Sequence, residues 1–164
     1  MLLGSLGCFL VIESRAHAEA RGAAPMARIA SVATDRCRRG QGEATAKARA
    51  QLASLNGTFD PAATAVISGA SGAAAATAEE QGFLRELGLP VRAGATAFGH
   101  TLEPSFPANI ALAAMAVSRG KLFAPLEAAE TPMDAPLRHA LVTSWGHWRG
   151  EALAHVTTAQ MAAR

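Results

Sequence analysis

The chain has 164 residues, a net charge of +2 and 50% apolar residues, with 15 glycines. This length predicts one domain with a core of its own. So small a charge is no argument for a nucleic-acid partner. Cys8 and Cys37 have neither a metal-binding spacing nor a disulfide framework. We therefore predict no metal site, no cofactor, no nucleic-acid partner and a reducing, cytoplasmic environment.

The first question in chain order is the apolar N-terminus. The run over residues 1–12 is too short to span a bilayer, so we expect no membrane contact. Ala16-His17-Ala18 imitates a signal-peptidase site, but no basic residue precedes the run, and Glu13 and Arg15 interrupt it. We interpret residues 2–14 as a buried core strand and expect the mature chain to keep Met1 or Leu2. A small exported binding protein is the remote alternative.

The rest of the chain alternates between strand and helix patterns, which predicts an α/β protein. Strands are predicted over residues 26–33, 64–67, 91–97, 140–145 and 152–156. Helices are predicted over residues 15–23, 43–55, 77–87 and 105–119, with an irregular proline-bearing connection over residues 122–137. Thr77 and Glu80 have the spacing of a capping box at the start of the third helix. We interpret the basic cluster around Cys37 as a solvated loop, although such a cluster can also bind phosphate.

Residues 98–120 form the most informative stretch. A Gly-His turn at Gly99-His100 leads into a helix that is apolar on nearly all sides and stops at Arg119-Gly120. A helix of this composition is typical of a protein interior. The pattern therefore places His100 at the mouth of a buried helix.

This stretch resembles the second histidine motif of the β-ketoacyl-ACP synthases, a branch of the thiolase superfamily. The family motif reads K-S-x-x-G-H-x-L-G-A-A-G-A and continues into an Ala-rich helix that ends in Gly. Gly99, His100, Leu102 and Gly120 match it, whereas the family lysine falls on Ala95.

Three further segments carry the resemblance in family order. Residues 2–14 resemble L-G-E-G-A-G-x-L-V-L-E, and residues 15–23 resemble x-x-H-A-x-A-R-G-A. Near the end, Ser144 and Gly146 match the family's N-S-F-G-F-G-G-x-N, whose glycines form a flexible gate beside the nucleophile. The resemblance implies that Ser144 and Gly146 bind substrate, although His147, Trp148 and Arg149 replace the rest of the gate.

The resemblance implies a fold as well. In the family, two pseudo-symmetric halves build a five-layer αβαβα structure, and this chain would be the C-terminal half. We therefore expect residues 1–164 to form one thiolase-like half, a mixed sheet with helices on both faces. Its tail, residues 157–164, is expected to be loosely ordered.

The implied chemistry is the decarboxylative condensation of acyl and malonyl thioesters in fatty-acid or polyketide synthesis. It needs a nucleophile for the acyl chain and donors for the charge that develops on decarboxylation. The family supplies one cysteine, two histidines and a lysine. Only His100 keeps such a position here. The first histidine falls on Ala70 or Ser71, and neither Cys8 nor Cys37 is at the nucleophile position.

We therefore expect an acyltransferase-class domain that is inactive alone. The alternatives are a non-catalytic partner subunit, similar to chain-length factors, and a truncated gene product. The implied partners are an acyl carrier protein or coenzyme A thioesters, together with a ketosynthase-like chain or a second copy in a homodimer. Helix 105–119 is expected to expose an apolar face where the opposite half would pack.

Overall fold

The computed structural model describes residues 1–38, 40–55, 59–145 and 150–159. In these ranges the helices are α1 (Arg15–Ala20), α2 (Glu43–Ala53), α3 (Ala74–Leu87), α4 (Ala95–Phe98) and α5 (Ser105–Arg119), with a short 3-10 turn at Pro61–Ala63. The strands are β1 (Ala27–Arg36), β2 (Thr64–Ser68), β3 (Val91–Ala93), β4 (His139–Trp145) and β5 (Gly150–Thr158).

The five strands form one mixed sheet in the order β1-β5-β4-β2-β3. The pairs β1–β5 and β5–β4 are antiparallel, whereas β4–β2 and β2–β3 are parallel. Parallel neighbours need a crossover connection. Helix α3 makes the crossover from β2 to β3, and α5 lies in the crossover from β3 to β4. The predicted α/β class is confirmed.

Helix α5 covers one face of the sheet. Alternate side chains of the central strands point to it, as the two-residue period of a strand requires. Ala65 and Ile67 of β2 pack there with Ile110, Ala113 and Val117 of α5. The alanines on both sides allow the helix to approach the strands closely, so that Ala113 has no exposed surface.

Helices α2 and α3 cover the opposite face. Val66 of β2 and Leu141 of β4 point to this side, where they meet Ala44 and Ala48 of α2. The ring of Phe83 packs against that of Trp145 in β4 at a centroid distance of 5.6 Å. Helices therefore lie on both faces of the sheet, as predicted.

The irregular connection over residues 122–137 is held by a buried ion pair. Arg92 of β3 donates from Nε to the carbonyl of Phe123 (2.8 Å) and from Nη1 to that of Thr131 (3.0 Å). Glu130 lies 3.8 Å from the guanidinium and accepts the backbone N–H of Ala93 at 2.7 Å. Backbone acceptors thus replace water around Arg92, since a buried charge has to be hydrogen-bonded.

The predicted core strand over residues 2–14 is wrong. This stretch, which we call the N-terminal segment, contains no strand in the structure, only an isolated bridge between Leu3 and His100. Phe9 is 97% exposed and Val11 92%. The sequence pattern correctly identifies an apolar run, but a core strand also needs neighbouring strands, and the sheet described here does not supply them.

The capping box is also wrong. Helix α3 begins at Ala74, before Thr77, and the Thr77 hydroxyl accepts the N–H of Gly72 at 3.1 Å. Glu80 does not turn back to the helix start but points into the core. The strand predicted over residues 91–97 stops at Ala93, because β3 pairs only with three residues of β2, and α4 follows.

Strand β5 extends to Thr158, and residues 160–164 of the predicted loose tail lie outside the described ranges. Within the described ranges, no helix is both long and apolar enough to cross a membrane.

Candidate functional site

The site predicted around His100 lies at one end of the sheet. Strands β2 and β4 are parallel, so Ser68 and Trp145 end them on the same side. Helix α5 runs back from that side in the crossover to β4. Asn109 in its second turn donates from Nδ2 to the carbonyl of Ser68 at 3.0 Å. The residues just before α5 and just after β2 therefore lie at the same end of the sheet.

Two glycines set the backbone position of His100. Gly99 has φ +76° and ψ 177°, a combination that is essentially limited to glycine. A Cβ on Gly99 would lie 2.8 Å from the backbone nitrogen of Gly4. The N–H of His100 donates to the carbonyl of Leu2 at 2.8 Å, and Gly4 donates to the carbonyl of His100 at 2.9 Å. The start of the N-terminal segment is thus part of the site.

The His100 side chain is buried against the start of α5. Its Nδ1 lies 3.4 Å from the Ser105 hydroxyl. That hydroxyl also accepts the backbone N–H of Thr101 and lies 3.0 Å from the Thr101 hydroxyl, so its own proton can be donated either to Thr101 or to His100. If Ser105 donates to Nδ1, the His100 proton is on Nε2.

The loop after β2 lies beside the end of β4. Gly69 donates its N–H to the Thr143 hydroxyl at 2.9 Å, and a Cβ at this position would lie 2.5 Å from the Thr143 carbonyl oxygen. Ala70 and Ser71 follow, so the two positions on which the family's first histidine falls are in the predicted loop. Met1 is close to this loop as well, 3.1 Å from where a Cβ on Gly72 would be.

Glu80 is a buried carboxyl group that the sequence interpretation missed. Its Oε1 accepts from the Ser68 hydroxyl and the Gly69 N–H, both at 3.1 Å, and from the Thr143 hydroxyl. Oε2 is buried and has no hydrogen-bond partner among the described residues. Burial raises the pKa of Glu80 above its usual value, and the three hydrogen bonds oppose that shift only in part.

A signal for Glu80 was present in the sequence. On α3 the buried residues Ala76, Phe83 and Leu84 form a helical stripe, and Glu80 occupies the same stripe, four residues after Ala76. A charged residue on an otherwise apolar face indicates a buried polar contact. In this protein Glu80 ties the loop after β2 to β4 and so fixes one side of the site.

The remaining predicted site residues divide into three groups. Ser144 is half-buried at the end of β4 and points to the α5 face, next to Gly69. Gly146, with His147, Trp148 and Arg149, lies outside the described ranges. Cys37 is packed into the core on the α2–α3 face, and Cys8 is half-buried in the N-terminal segment.

A search for metal ligands gives no candidate centre. Over residues 1–38, 40–55, 59–145 and 150–159, no three His, Cys, Asp or Glu side chains come together in a way that could hold an ion. Within the described residues, His100, Ser105 and Ser144 supply polar side chains at this end of the sheet.

Comparison with known proteins shows the fold. No family model matches the sequence, and no curated protein matches it. Solved structures do match. The ishigamide ketosynthase/chain length factor aligns with a TM-score of 0.73 at 16% identity, over 90% of this chain and 42% of that one.

Two other structures give the same result. The oxazolomycin ketosynthase domain of Streptomyces albus JA3453 aligns with a TM-score of 0.70 at 16% identity, over 93% of this chain and 33% of its own. A type II polyketide ketosynthase in complex with its acyl carrier protein aligns with a TM-score of 0.69 at 16% identity, over 90% and 42%. The chain thus has a ketosynthase-like thiolase fold and spans less than half the length of these structures.

Proposed function

We propose that this chain is a ketosynthase-like domain of fatty-acid or polyketide synthesis that belongs to the acyltransferase class but is inactive alone. In this proposal residues 1–164 correspond to the C-terminal half of the enzyme and operate in the cytoplasm. The observation that carries it is the position of His100. The histidine that the motif selects is buried at the end of the parallel strands, with its Nδ1 3.4 Å from the Ser105 hydroxyl.

Inactivity follows from the groups around His100. Ala70 and Ser71 cannot act as an imidazole, Ala95 cannot replace a lysine, and Cys37 belongs to the core on the other face of the sheet. A condensation without a nucleophile has no covalent acyl intermediate. His100 could still polarise the carbonyl of a bound malonyl thioester, which is one part of the reaction.

Acyl carrier protein or coenzyme A thioesters are the proposed ligands. The support is that one similar structure holds a ketosynthase together with its acyl carrier protein. On this chain the thioester carbonyl would lie near His100 and Ser144, at the mouth formed by the β2 loop and the start of α5.

The proposed protein partner is a ketosynthase-like chain or a second copy of this one. Its support is the N-terminal segment, where Leu2, Phe9, Val11 and Ile12 are 70–97% exposed. Helix α5 is better covered than the sequence suggested, and Met115 is its one large apolar residue among the clearly exposed ones. We therefore assign the association surface to the N-terminal segment rather than to α5.

Binding of malonyl-coenzyme A tests the ligand proposal. Calorimetric titration of the chain should show saturable binding that weakens at least fivefold in His100→Ala. His17→Ala is the matched control, because His17 is exposed on α1, and should bind like the wild type. Equal binding by both variants would contradict a role for His100. In the same samples, acyl and malonyl thioesters should give no condensation product.

A non-catalytic partner role, similar to a chain-length factor, is the second candidate. The loop after β2, where Glu80 fixes a segment without histidine, favours it. Mixing the chain with a purified type II ketosynthase freed of its own partner distinguishes the two candidates. A stable complex with altered product length supports the partner role, whereas an unchanged ketosynthase that elutes separately argues against it.

A further inference from the structure

A second polar cluster lies at the end of the sheet opposite to His100. His139 starts β4, and the strand register places it beside Thr157 of β5, which in turn pairs with Arg28 of β1. His155 pairs with Ser31 in the next row. Paired residues of neighbouring strands share a face, and Leu141 and Leu153, which lie two residues from His139 and His155 along β4 and β5, belong to the α2–α3 core. All five residues therefore lie on the α2–α3 side. None of them belongs to the site around His100.

These residues line a cavity of about 340 Å³. Ser54 and Leu55 close it from the end of α2, and Arg15 reaches it from the start of α1. The volume is at the lower end of the range for small-ligand pockets. The floor is the sheet itself, a rigid support that holds the polar groups in place.

The two histidines form a hydrogen-bonded pair. Nδ1 of His139 and Nε2 of His155 are 3.1 Å apart, so one of these nitrogens donates and the other accepts. The pair leaves His139 Nε2 and His155 Nδ1 on its outer sides. His155 is fully buried, and its ring meets that of Phe59 edge-on at 6.0 Å, which fixes the orientation of the pair.

The cavity combines hydrogen-bond donors with a positive charge. Arg28 has no ion pair among the described residues. Ser31 lines the inner wall, and its buried hydroxyl has no hydrogen-bond partner in the described ranges. An arginine beside an unpartnered hydroxyl disfavours a metal cation and favours a planar or tetrahedral oxyanion.

We propose that this cavity binds a phosphate group, either as inorganic phosphate or as a phosphate monoester, through Arg28, the His139–His155 pair and Ser31. Arg28 would provide a bidentate contact from the open side, and the histidine pair would donate from the floor. The Ser31 hydroxyl would donate a hydrogen bond to an oxygen of the bound phosphate. The 340 Å³ volume leaves space for a small organic group beside the phosphate.

Binding should take up a proton. Burial lowers the pKa of both histidines, and the neighbouring His139 and Arg28 lower that of His155 further. For His139, Asp60 raises the pKa and Arg138 lowers it. A bound anion counteracts burial and the two arginines, so the protonated pair, with donors on both outer nitrogens, becomes favoured. Affinity should therefore fall as pH rises through the titration of the pair.

Isothermal titration of the 164-residue chain with inorganic phosphate and with glycerol 1-phosphate, at constant ionic strength, tests the proposal. We expect saturable binding of at least one ligand, weakened tenfold or more by Arg28→Gln. Arg85→Gln, the same charge change on the exposed face of α3, should stay within twofold of the wild type. Tighter binding of the ester identifies a phosphate monoester as the ligand, and equal binding identifies the free anion.

Two further measurements complete the test. Sulfate does not titrate in this range, so any pH dependence of its binding comes from the protein. Sulfate should bind several-fold more tightly at pH 5 than at pH 7.5, and His139→Gln should remove that dependence. Circular dichroism checks that each variant is folded. If Arg28→Gln does not fold, Ser31→Ala serves as the second probe, with an expected severalfold loss of affinity. No saturable binding, or equal binding by Arg28→Gln and Arg85→Gln, would overturn the proposal.

Discussion

Strand β2 and the N-terminal segment are both apolar runs, and the sequence predicts a strand for each. In the structure they have opposite environments. All five residues of β2 are buried between β4 and β3 and between α5 and α3. The N-terminal segment is extended across the surface, with Phe9 and Val11 almost fully exposed and only Leu10 packed against the core.

The difference lies in partners rather than in composition. Strand β2 has two parallel neighbours that pair its backbone groups, and helices on both faces. The N-terminal segment has backbone contacts with His100 near its start, and its other apolar side chains face outward. Apolar composition therefore reports that a segment is suited to burial, but not whether the surface that buries it belongs to the same chain.

The largest effect is expected from the same substitution made in both regions. Ile67→Ala removes a fully buried side chain between α5 and the sheet and should lower the free energy of unfolding by about 2–5 kcal/mol. Ile12→Ala removes a side chain that is 70% exposed and should change it by less than about 0.5 kcal/mol. Urea unfolding followed by circular dichroism measures both. Similar losses would mean that the N-terminal segment is part of the core.

The next effect concerns the contact that attaches the N-terminal segment. Gly99→Ala would force a Cβ to 2.8 Å from Gly4, in a backbone region closed to alanine. Gly88→Ala is the control, since Gly88 also has positive φ but open space around its Cβ position. We expect Gly88→Ala to cost about 1–2 kcal/mol and Gly99→Ala to cost more.

Chymotrypsin distinguishes attachment from global stability in these variants. If the Gly4–Gly99 contact holds the segment, cleavage after Phe9 should be several times faster in Gly99→Ala than in Gly88→Ala. Equal cleavage rates would show that the contact does not restrain the segment.

The sequence predicts most of the fold because the period of apolar residues is local. Helix α5 has the predicted bounds, and β1, β2, β4 and β5 are found within a few residues of the predicted ranges. The N-terminal segment and the shortened β3 could not be predicted, because each depends on which strands are available as neighbours. That information is not contained in the segment itself.

The site was predicted less completely. The motif places His100, and the chain order places Ala70 and Ser71 in the loop after β2, but their roles remain predictions. The sequence places Glu80 in a helix cap, because its spacing from Thr77 fits a capping box as well as it fits a buried contact. Only the position of α3 against the sheet turns Glu80 towards Ser68 and Thr143.

Glu80 also gives the central sheet a pH dependence. Its pKa is raised in the folded state by burial, so the unfolded chain releases this proton at a lower pH. The contribution to stability is therefore complete below about pH 4.5, the unfolded value, and is lost as pH rises through the folded pKa. Glu80→Gln should remove this decline, whereas the exposed Glu86→Gln should keep it. Parallel profiles for wild type and Glu80→Gln would contradict a buried, protonatable Glu80.

The smallest effect on stability and the clearest effect on association are expected from the outward side chains of the N-terminal segment. Phe9 and Ile12 are exposed in the described structure, and apolar side chains in such a position favour contact with another surface. Burial of apolar surface contributes about 25 cal/mol per Å² before the entropy of association is subtracted. Because both side chains are exposed and lie outside the core, the double variant Phe9→Ser/Ile12→Ser should unfold like the wild type.

Sedimentation and light scattering at micromolar concentration then compare two candidate surfaces. If the N-terminal segment mediates self-association, Phe9→Ser/Ile12→Ser should reduce the average mass to that of a monomer, while Met115→Ser on α5 should leave it unchanged. The opposite result would support the α5 surface expected from the sequence, where Ala114→Arg would then disrupt the dimer. A wild-type chain that is monomeric throughout would show that neither surface pairs with a second copy, because the apolar area outside the core would then be too small to offset the entropy of association.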